Sequence, residues 1–355
     1  METAFLQSNF KYEGEVVYSR PPPGFRLGYQ WLGKSPWWAE DNEIAFKWLK
    51  PTYGFVQAGN AWNFCFRNIL KSLGFVEVDP CLYTKSDNSV LTHTIAYHVD
   101  DLLIMGFGGD KIISEIAKRI SMKNLGRPSK FLGIELEYLP NGGVKLHQKE
   151  YLQNLLKRFP VSGTKISLTQ SFRLSAEGEP YLNGTITIGF SIRKTKDPLL
   201  LEYRAASDAD WAGGEDRLSF TGNIRYWQNA IIGWSCQKLK TISTSVLESE
   251  IAGASKCAKR VRWERWLIKS LTGAEPSEPT NIFCDNESAI HISETGVRSS
   301  RTKHIAINLM YIVEARSEGW AKLVKIPTKL NPADIFTKPK GPQVFKEALV
   351  NLKME

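Results

Sequence analysis

Apolar and polar positions along residues 1–160 change period several times, which predicts a mixture of helices and strands. A period of 3.6 residues recurs in three segments: Ala61–Leu73, 112–120 and 148–159. Strand-like runs occur at 94–107, 131–139 and 144–147, the last two joined by Pro-Asn-Gly-Gly, which predicts a hairpin turn. This region is therefore predicted to be mixed α/β.

From about residue 201 the pattern becomes clearer. Strand-like runs lie at Leu201–Ser207, Phe220–Trp227, Ile231–Gln237, Asn281–Cys284 and Ala321–Ile326. Helical periods lie at Val246–Leu271, Glu287–Glu294 and Lys303–Ser317, and a short helix is expected after Asn331. Strands followed by alternating helices and strands favour a mixed five-stranded sheet with flanking helices, of class α/β (α+β).

Residues 161–200 show no clear period and are predicted to be a degenerate connection or linker. The predicted divisions of the chain are 1–160, 161–200, 201–340 and a C-terminal tail, 341–355.

Composition narrows the class of protein. The 355 residues suggest two or three domains, and 42% hydrophobic with 23% charged residues is typical of a globular chain. A net charge of +9 weakly favours a polyanionic partner. The five cysteines never form C-x-x-C, so no structural zinc or disulfide framework is expected. With no apolar run near ~20 residues and no secretion signal, we predict no membrane span and a cytoplasmic or nuclear location.

The start of the long predicted helix carries two glutamates with different expected roles. Ser245 and Glu248 fit a capping box, in which Glu248 reaches back to the helix start. Glu250 has no such role and lies on the inner face. Its neighbours on that face are core-type residues: Leu247, Ala254, Cys257, Ala258 and Val261. An inward carboxylate is costly unless it is paired or binds a metal, although an acid favoured by the helix dipole is an equally good interpretation.

Three more carboxylates stand where predicted strands end or helices begin: Asp208, Asp285 and Asp334. Each alone is better explained as a strand terminator, an N-cap or a first-turn anion. Together with Glu250, four acids at such positions of one α/β domain could meet at one point. Such a cluster repels itself unless cations neutralise it, and oxygen ligands select Mg²⁺ or Mn²⁺.

Residues 203–340 resemble the ribonuclease H domain of copia-type retrotransposon polyproteins. The matching strings, in the family's order, are SDADWAG (207–213), GWSCQKLKT (233–241), STSVLESEIAGA (243–254), CDNESAI (284–290), RTKHIAI (301–307) and PTKLNPADIFTKP (327–339). The resemblance implies that Asp208, Glu250, Asp285 and Asp334 bind two Mg²⁺ or Mn²⁺ ions. It also implies hydrolysis of the RNA strand of an RNA–DNA hybrid.

Basic residues near one of these strings are candidate nucleic-acid contacts. Arg301, Lys303 and His304 could hold backbone phosphates, and a solvated basic helix start is an equally good interpretation for any one of them. The family string STEAEY is replaced here by SVLESEI, which keeps the second Glu and loses an aromatic residue.

Residues 1–160 resemble the reverse transcriptase of the same polyproteins. The matching strings include RPPPGF (20–25), LKPTYGFVQAGNAW (49–62), LGFVEVDPCLYTK (73–85), HVDDLLIMG (98–106) and LHQKEYLQNLLKRF (146–159). The resemblance implies a partial palm in which Asp100 and Asp101 are polymerase metal ligands. A simple turn is the alternative, but a turn without Gly or Asn is a poor hairpin turn.

The polymerase is expected to be inactive in this chain. Its chemistry needs a third Asp, which the family places just ahead of the stretch matching Met1–Leu6, and no Asp occurs before Asp41. His98 also replaces the family's usual Tyr, and the Trp-rich residues 28–46 fit no family pattern.

Two functional hypotheses follow. The first is a retrotransposon-derived polyprotein fragment with a working ribonuclease H, whose partners are an RNA–DNA hybrid and other retrotransposon proteins. The second is a folded but catalytically dead nucleic-acid-binding remnant, and an unfolded product is a third, weaker hypothesis because a partial palm would expose strand edges.

Overall fold

The structure is a computed structural model that describes residues 4–8, 17–20, 46–88, 90–158, 185–193, 202–213, 216–296, 306–338, 340–352 and 354. The chain divides into two compact units, residues 1–128 and 129–355. No helix among the described residues combines the length and the apolar character needed to cross a membrane.

In the first unit, helices pack on an antiparallel sheet. Its helices are α1 (Ala4–Gln7), α2 (Ala58–Ser72) and α3 (Gly109–Ala117). A two-stranded ladder joins β1 (Val17–Ser19) and β2 (Phe46–Trp48), and a four-stranded sheet joins, in order, β3 (Val76–Asp79), β4 (Leu82–Asp87), β5 (Val90–His98) and β6 (Asp101–Gly106).

The core of this unit follows from the spacing of apolar residues in α2. Trp62, Phe66 and Leu70 are four residues apart, so they lie on one helix face, and all are buried. That face packs with Tyr83 of β4 and Ile95 of β5. The predicted helix at 61–73 is thus confirmed, with its start three residues earlier.

The second unit begins with a small antiparallel sheet. Its strands, in sheet order, are β10 (Phe190–Ile192), β9 (Val144–His147), β8 (Ile134–Tyr138) and β7 (Lys130–Phe131), and helix α4 (Lys149–Arg158) follows β9 in the chain. The predicted hairpin is confirmed as β8–β9, and its turn contains Gly142 at φ +80°. Most of the predicted linker, 161–200, lies outside the described residues.

The second sheet of this unit has five strands and is mixed. Its order is β13 (Ala230–Lys238), β12 (Phe220–Trp227), β11 (Tyr203–Asp210), β14 (Thr280–Cys284) and β15 (Ala321–Lys325). The first three strands are antiparallel, whereas β14 is parallel to both β11 and β15. The predicted mixed five-stranded sheet is confirmed.

Helices and short turns cover both faces of this sheet. The helices are α5 (Val246–Thr272), α6 (Glu287–Thr295), α7 (Ala306–Ser317) and α8 (Pro342–Asn351), and 3₁₀ turns occur at Thr328–Leu330 and Asp334–Phe336. One core, which includes Ala254 and Ile282, lies under α5, and another, which includes Ile224 and Ala333, lies on the opposite face. The short helix expected after Asn331 is therefore a single 3₁₀ turn.

Helix α5 starts and ends where its sequence indicates. The Ser245 hydroxyl accepts a hydrogen bond from the backbone N–H of Glu248, as in a capping box. The Glu248 carboxylate bonds the backbone N–H and the hydroxyl of Thr244, one residue before the expected partner. Gly273 ends the helix at φ +77° and bonds the Lys269 carbonyl.

Candidate active site

Asp208 lies in the central strand β11 and is almost fully buried, with 2% of its surface exposed. The Thr337 hydroxyl donates a hydrogen bond to its Oδ2. Burial is the main cause that raises the pKa of Asp208, to about 6, and the negative charges of Asp334 and Asp285 add to it, while Thr337 and the positive charge of Lys338 act in the opposite direction.

Glu250 lies near the start of α5 with 5% of its surface exposed. Its Oε2 is buried and has no hydrogen-bond partner among the described residues. Burial, followed by the charges of Asp208 and Asp285, raises the pKa of Glu250 to about 9. Its burial contradicts a simple solvated first-turn acid, because a carboxylate that only served the helix dipole would keep its hydration.

Asp285 directly follows β14 and is half-buried. A carboxylate oxygen of Asp285, one of Glu250 and the Sγ of Cys284 all lie within 4.8 Å of one another. Asn286, the next residue, accepts a hydrogen bond of 2.9 Å from the backbone N–H of Ala289 and so caps α6. The end of β14 and the N-cap of α6 therefore fix the position of Asp285 between them.

Asp334 starts the 3₁₀ turn and forms ion pairs with two lysines. Its Oδ1 lies 2.7 Å from Lys338 Nζ, and its Oδ2 accepts a hydrogen bond from Lys340 Nζ. The turn is held by Asn331, whose side chain accepts from the Ala333 N–H and donates to the Ser207 carbonyl, both at 3.0 Å. This contact joins the turn to the strand that carries Asp208.

Gly222 explains how that turn comes so close to β11. It pairs with Asp208 across β11 and β12. A Cβ atom at residue 222 would lie 2.8 Å from the Ala333 carbonyl oxygen and 2.8 Å from the Phe336 Cβ. The absent side chain is therefore what lets the segment that carries Asp334 pack directly on the sheet.

The charges of the four predicted acids are thus linked to one another, but not all four acids lie within one compact group. Glu250 and Asp285 belong to the compact group with Cys284, and Asp208 is linked to this group through charge. Asp334 is linked to Asp208 through charge and through Thr337, whose hydroxyl donates to the Asp208 carboxylate and to the Asp334 carbonyl. Their joint coordination of two ions stays a prediction. Arg301, Lys303 and His304 lie outside the described residues.

Sequence reasoning did not single out Cys284, Thr337, Lys338, Lys340 or Gly222 as parts of this region. Cys284 and Thr337 lie within two of the strings that carry the resemblance, CDNESAI and PTKLNPADIFTKP, but in each string the predicted metal ligand is the acid, Asp285 or Asp334. Their roles depend on contacts between distant segments, such as the hydrogen bond from Thr337 to Asp208.

The Asp100–Asp101 pair lies in the first unit, at the tight β5–β6 turn. Val99 in this turn has φ +52°, which is unfavourable for a β-branched residue. Asp100 accepts hydrogen bonds from the Ala4 N–H at 2.8 Å and the Tyr53 hydroxyl at 2.7 Å. Among the described residues, no third acid, His or Cys joins the two aspartates in a cluster able to hold a metal.

One known family matches the first part of the chain, and known proteins match nearly all of it. Residues 1–171 match the family described as reverse transcriptase (RNA-dependent DNA polymerase). The chain is 28% identical to the retrovirus-related Pol polyprotein from transposon RE1 of Arabidopsis thaliana, over 98% of this chain and 26% of that protein.

Two further relatives are of the same kind. The Pol polyprotein from transposon TNT 1-94 of Nicotiana tabacum is 25% identical over 95% of this chain and 29% of the relative, and the transposon Ty1-LR2 Gag-Pol polyprotein of Saccharomyces cerevisiae is 22% identical over 98% and 23%. The predicted resemblance to copia-type retrotransposon Pol polyproteins is therefore confirmed. The chain spans about a quarter of the length of these relatives.

Solved structures similar to part of the chain include ribonucleases H. The RNase H1 of Halobacterium salinarum matches with a TM-score of 0.30 and 10% identity, over 42% of this chain and 98% of that one. LC11-RNase H1, solved in complex with an RNA/DNA hybrid, matches with a TM-score of 0.30 and 12% identity, over 38% and 93%.

Proposed function

We propose that residues 201–340 form a ribonuclease H that depends on Mg²⁺ or Mn²⁺ and hydrolyses the RNA strand of RNA–DNA hybrids. The observation that carries the proposal is the buried Oε2 of Glu250, which lacks a partner among the described residues and shares its surroundings with Asp208 and Asp285. A buried carboxylate of this kind is expected where a hard cation supplies the missing partner.

The chemistry of the donors fits two such ions, held by Asp208, Glu250, Asp285 and Asp334. Bound divalent ions would supply charge neutralisation and an activated water for phosphodiester hydrolysis. Thr337 holds the Asp208 carboxylate in place by its hydrogen bond. Lys338 and Lys340 neutralise Asp334 and so limit the repulsion among the acids.

Contacts with the nucleic acid belong to the same proposal. Arg301, Lys303 and His304 precede α7 and would hold backbone phosphates. If they do, hybrid affinity should fall steeply as the salt concentration rises, because phosphate contacts release counterions. A triple substitution to Ala should weaken binding and flatten that dependence.

The first unit is proposed to lack polymerase activity by itself. Both oxygens of Asp100 already accept hydrogen bonds, from Ala4 and Tyr53, and no third acid joins it among the described residues. A primer-extension assay with the full chain should show no incorporation. Extension that depends on Asp100 would contradict this part of the proposal.

The test of the nuclease is cleavage of a labelled RNA–DNA hybrid by the full chain with Mg²⁺. Asp208→Asn and Asp285→Asn should each lower the rate at least a hundredfold while the circular dichroism spectrum stays unchanged. Asp216→Asn is the matched control, since Asp216 pairs with Lys238 at the surface. Equal rates in all variants would refute the assignment, and hybrid binding without cleavage by the parent would favour the non-catalytic remnant.

A further inference from the structure

One group in the candidate site does not suit hard cations. The Sγ of Cys284 lies within 4.8 Å of both a Glu250 and an Asp285 carboxylate oxygen. Cys284 is fully buried at the end of β14 and forms no disulfide. Mg²⁺ takes oxygen ligands, whereas a thiolate selects softer ions such as Zn²⁺.

A second observation indicates that the cluster can take a ligand. Glu250 is 5% exposed, and its Oε2 has no hydrogen-bond partner within the described part of the chain. Asp285 is half-buried, whereas Glu250 and Cys284 are buried. Zn²⁺ is bound by Cys thiolates and by Asp and Glu carboxylates, and a site with three protein ligands leaves a fourth position for water.

We propose that Glu250, Cys284 and Asp285 bind Zn²⁺ or a similar thiophilic cation. Binding replaces the thiol proton, which leaves to solvent, by a bond between sulfur and the metal. Zn²⁺ binding itself is independent of the proposed nuclease. Its consequence, that Zn²⁺ displaces a catalytic ion and inhibits cleavage, rests on the proposed function because two of the three ligands are shared.

The other thiols in the same unit provide controls. Cys236 is exposed on β13, and Cys257 is buried in the core under α5 with its Sγ 3.9 Å from the Ala206 carbonyl oxygen. Neither belongs to a metal-binding cluster among the described residues. Cys236→Ser is therefore the matched control for Cys284→Ser.

The experiment uses the metal-stripped full chain. Zn²⁺ affinity is measured by competition with a chromogenic chelator, and Co²⁺ is added separately to look for thiolate-to-cobalt charge-transfer absorption in the near ultraviolet. The parent and Cys236→Ser should bind Zn²⁺ with equal affinity and show the absorption. The Cys284→Ser variant should bind Zn²⁺ at least tenfold more weakly and should not show the charge-transfer absorption with Co²⁺.

Each result decides between the possibilities. A parent protein without the charge-transfer band, or a Cys284→Ser variant with unchanged affinity and spectrum, overturns the proposal. If Cys284→Ser does not fold, Glu250→Gln serves instead and should also weaken Zn²⁺ binding tenfold. Where the parent cleaves hybrid, Zn²⁺ should inhibit it more than it inhibits Cys284→Ser. A parent that binds Zn²⁺ but never cleaves would refute the nuclease alone.

Discussion

Replacing Glu250 by glutamine is expected to stabilise the metal-free protein at neutral and alkaline pH. In the folded chain, burial and the neighbouring Asp208 and Asp285 raise the pKa of this carboxyl to about 9, well above the 4.5 of an exposed glutamate. The folded protein therefore binds one more proton than the unfolded chain between these two pH values. Stability is full below about pH 4.5 and is lost as the pH rises towards 9.

The size of the effect follows from this proton uptake. One proton changes the free energy of unfolding by about 1.4 kcal/mol per pH unit. Between pH 5 and pH 8 the parent should therefore lose on the order of 2–4 kcal/mol through Glu250. Glutamine has nearly the same shape and does not ionise, so Glu250→Gln should avoid this loss and match the parent only near pH 5.

The matched control is the other buried glutamate of α5, Glu264. Its carboxylate accepts hydrogen bonds from Arg225 Nε at 2.8 and 3.0 Å and also from the Tyr203 hydroxyl. Glu264→Gln leaves the buried Arg225 without a counter-charge and should destabilise the protein at pH 8 by about 3–5 kcal/mol. Two glutamates on one helix are thus expected to respond in opposite directions.

Urea unfolding in the presence of EDTA, at pH values from 5 to 9, measures both effects. Millimolar Mg²⁺ should then stabilise the parent more than Glu250→Gln, since only a state that binds the ion gains from it. If Glu250→Gln is less stable than the parent at pH 8 without metal, the description of Glu250 as a costly buried acid with an unpartnered Oε2 is wrong.

Three further outcomes are expected. Gly222→Ala should displace the turn at Ala333, lower stability by about 1–3 kcal/mol and reduce hybrid cleavage, which thermal melts and rate measurements would detect. Gly59→Ala, where a Cβ meets nothing within 4 Å, should instead raise stability by about 0.5–1 kcal/mol in the same melts. Lys338→Met should bind Mg²⁺ several-fold more tightly in an isothermal titration, because a cation that competes for Asp334 is removed; unchanged affinity would show that the ion pair does not compete.

Local signals in the sequence were enough to predict most of the second unit. The capping sequence at Ser245 predicts the start of α5, and the helix ends at Thr272, one residue after its predicted end. The apolar runs after residue 201 gave the strands of the mixed sheet. Short-range hydrogen bonds and burial determine these elements, so they can be read from neighbouring residues.

Other features depend on contacts between distant segments, and local patterns do not show them. The run 94–107 is a hairpin that turns at Val99 and Asp100, although it lacks the glycine or asparagine of a usual turn. The hydrogen bond from Thr337 to Asp208 joins residues 129 positions apart. The closeness of Cys284 to Glu250 likewise appears only when α5 is packed on the sheet.

The wide spacing of the acids in the chain has a consequence for synthesis. Asp208 and Glu250 are made before Asp334 and Thr337, which come more than 80 residues after Glu250. A nascent polypeptide that has not yet emerged past this point cannot complete the acidic cluster. The proposed nuclease would therefore stay inert on the ribosome until the last turn docks beside Gly222.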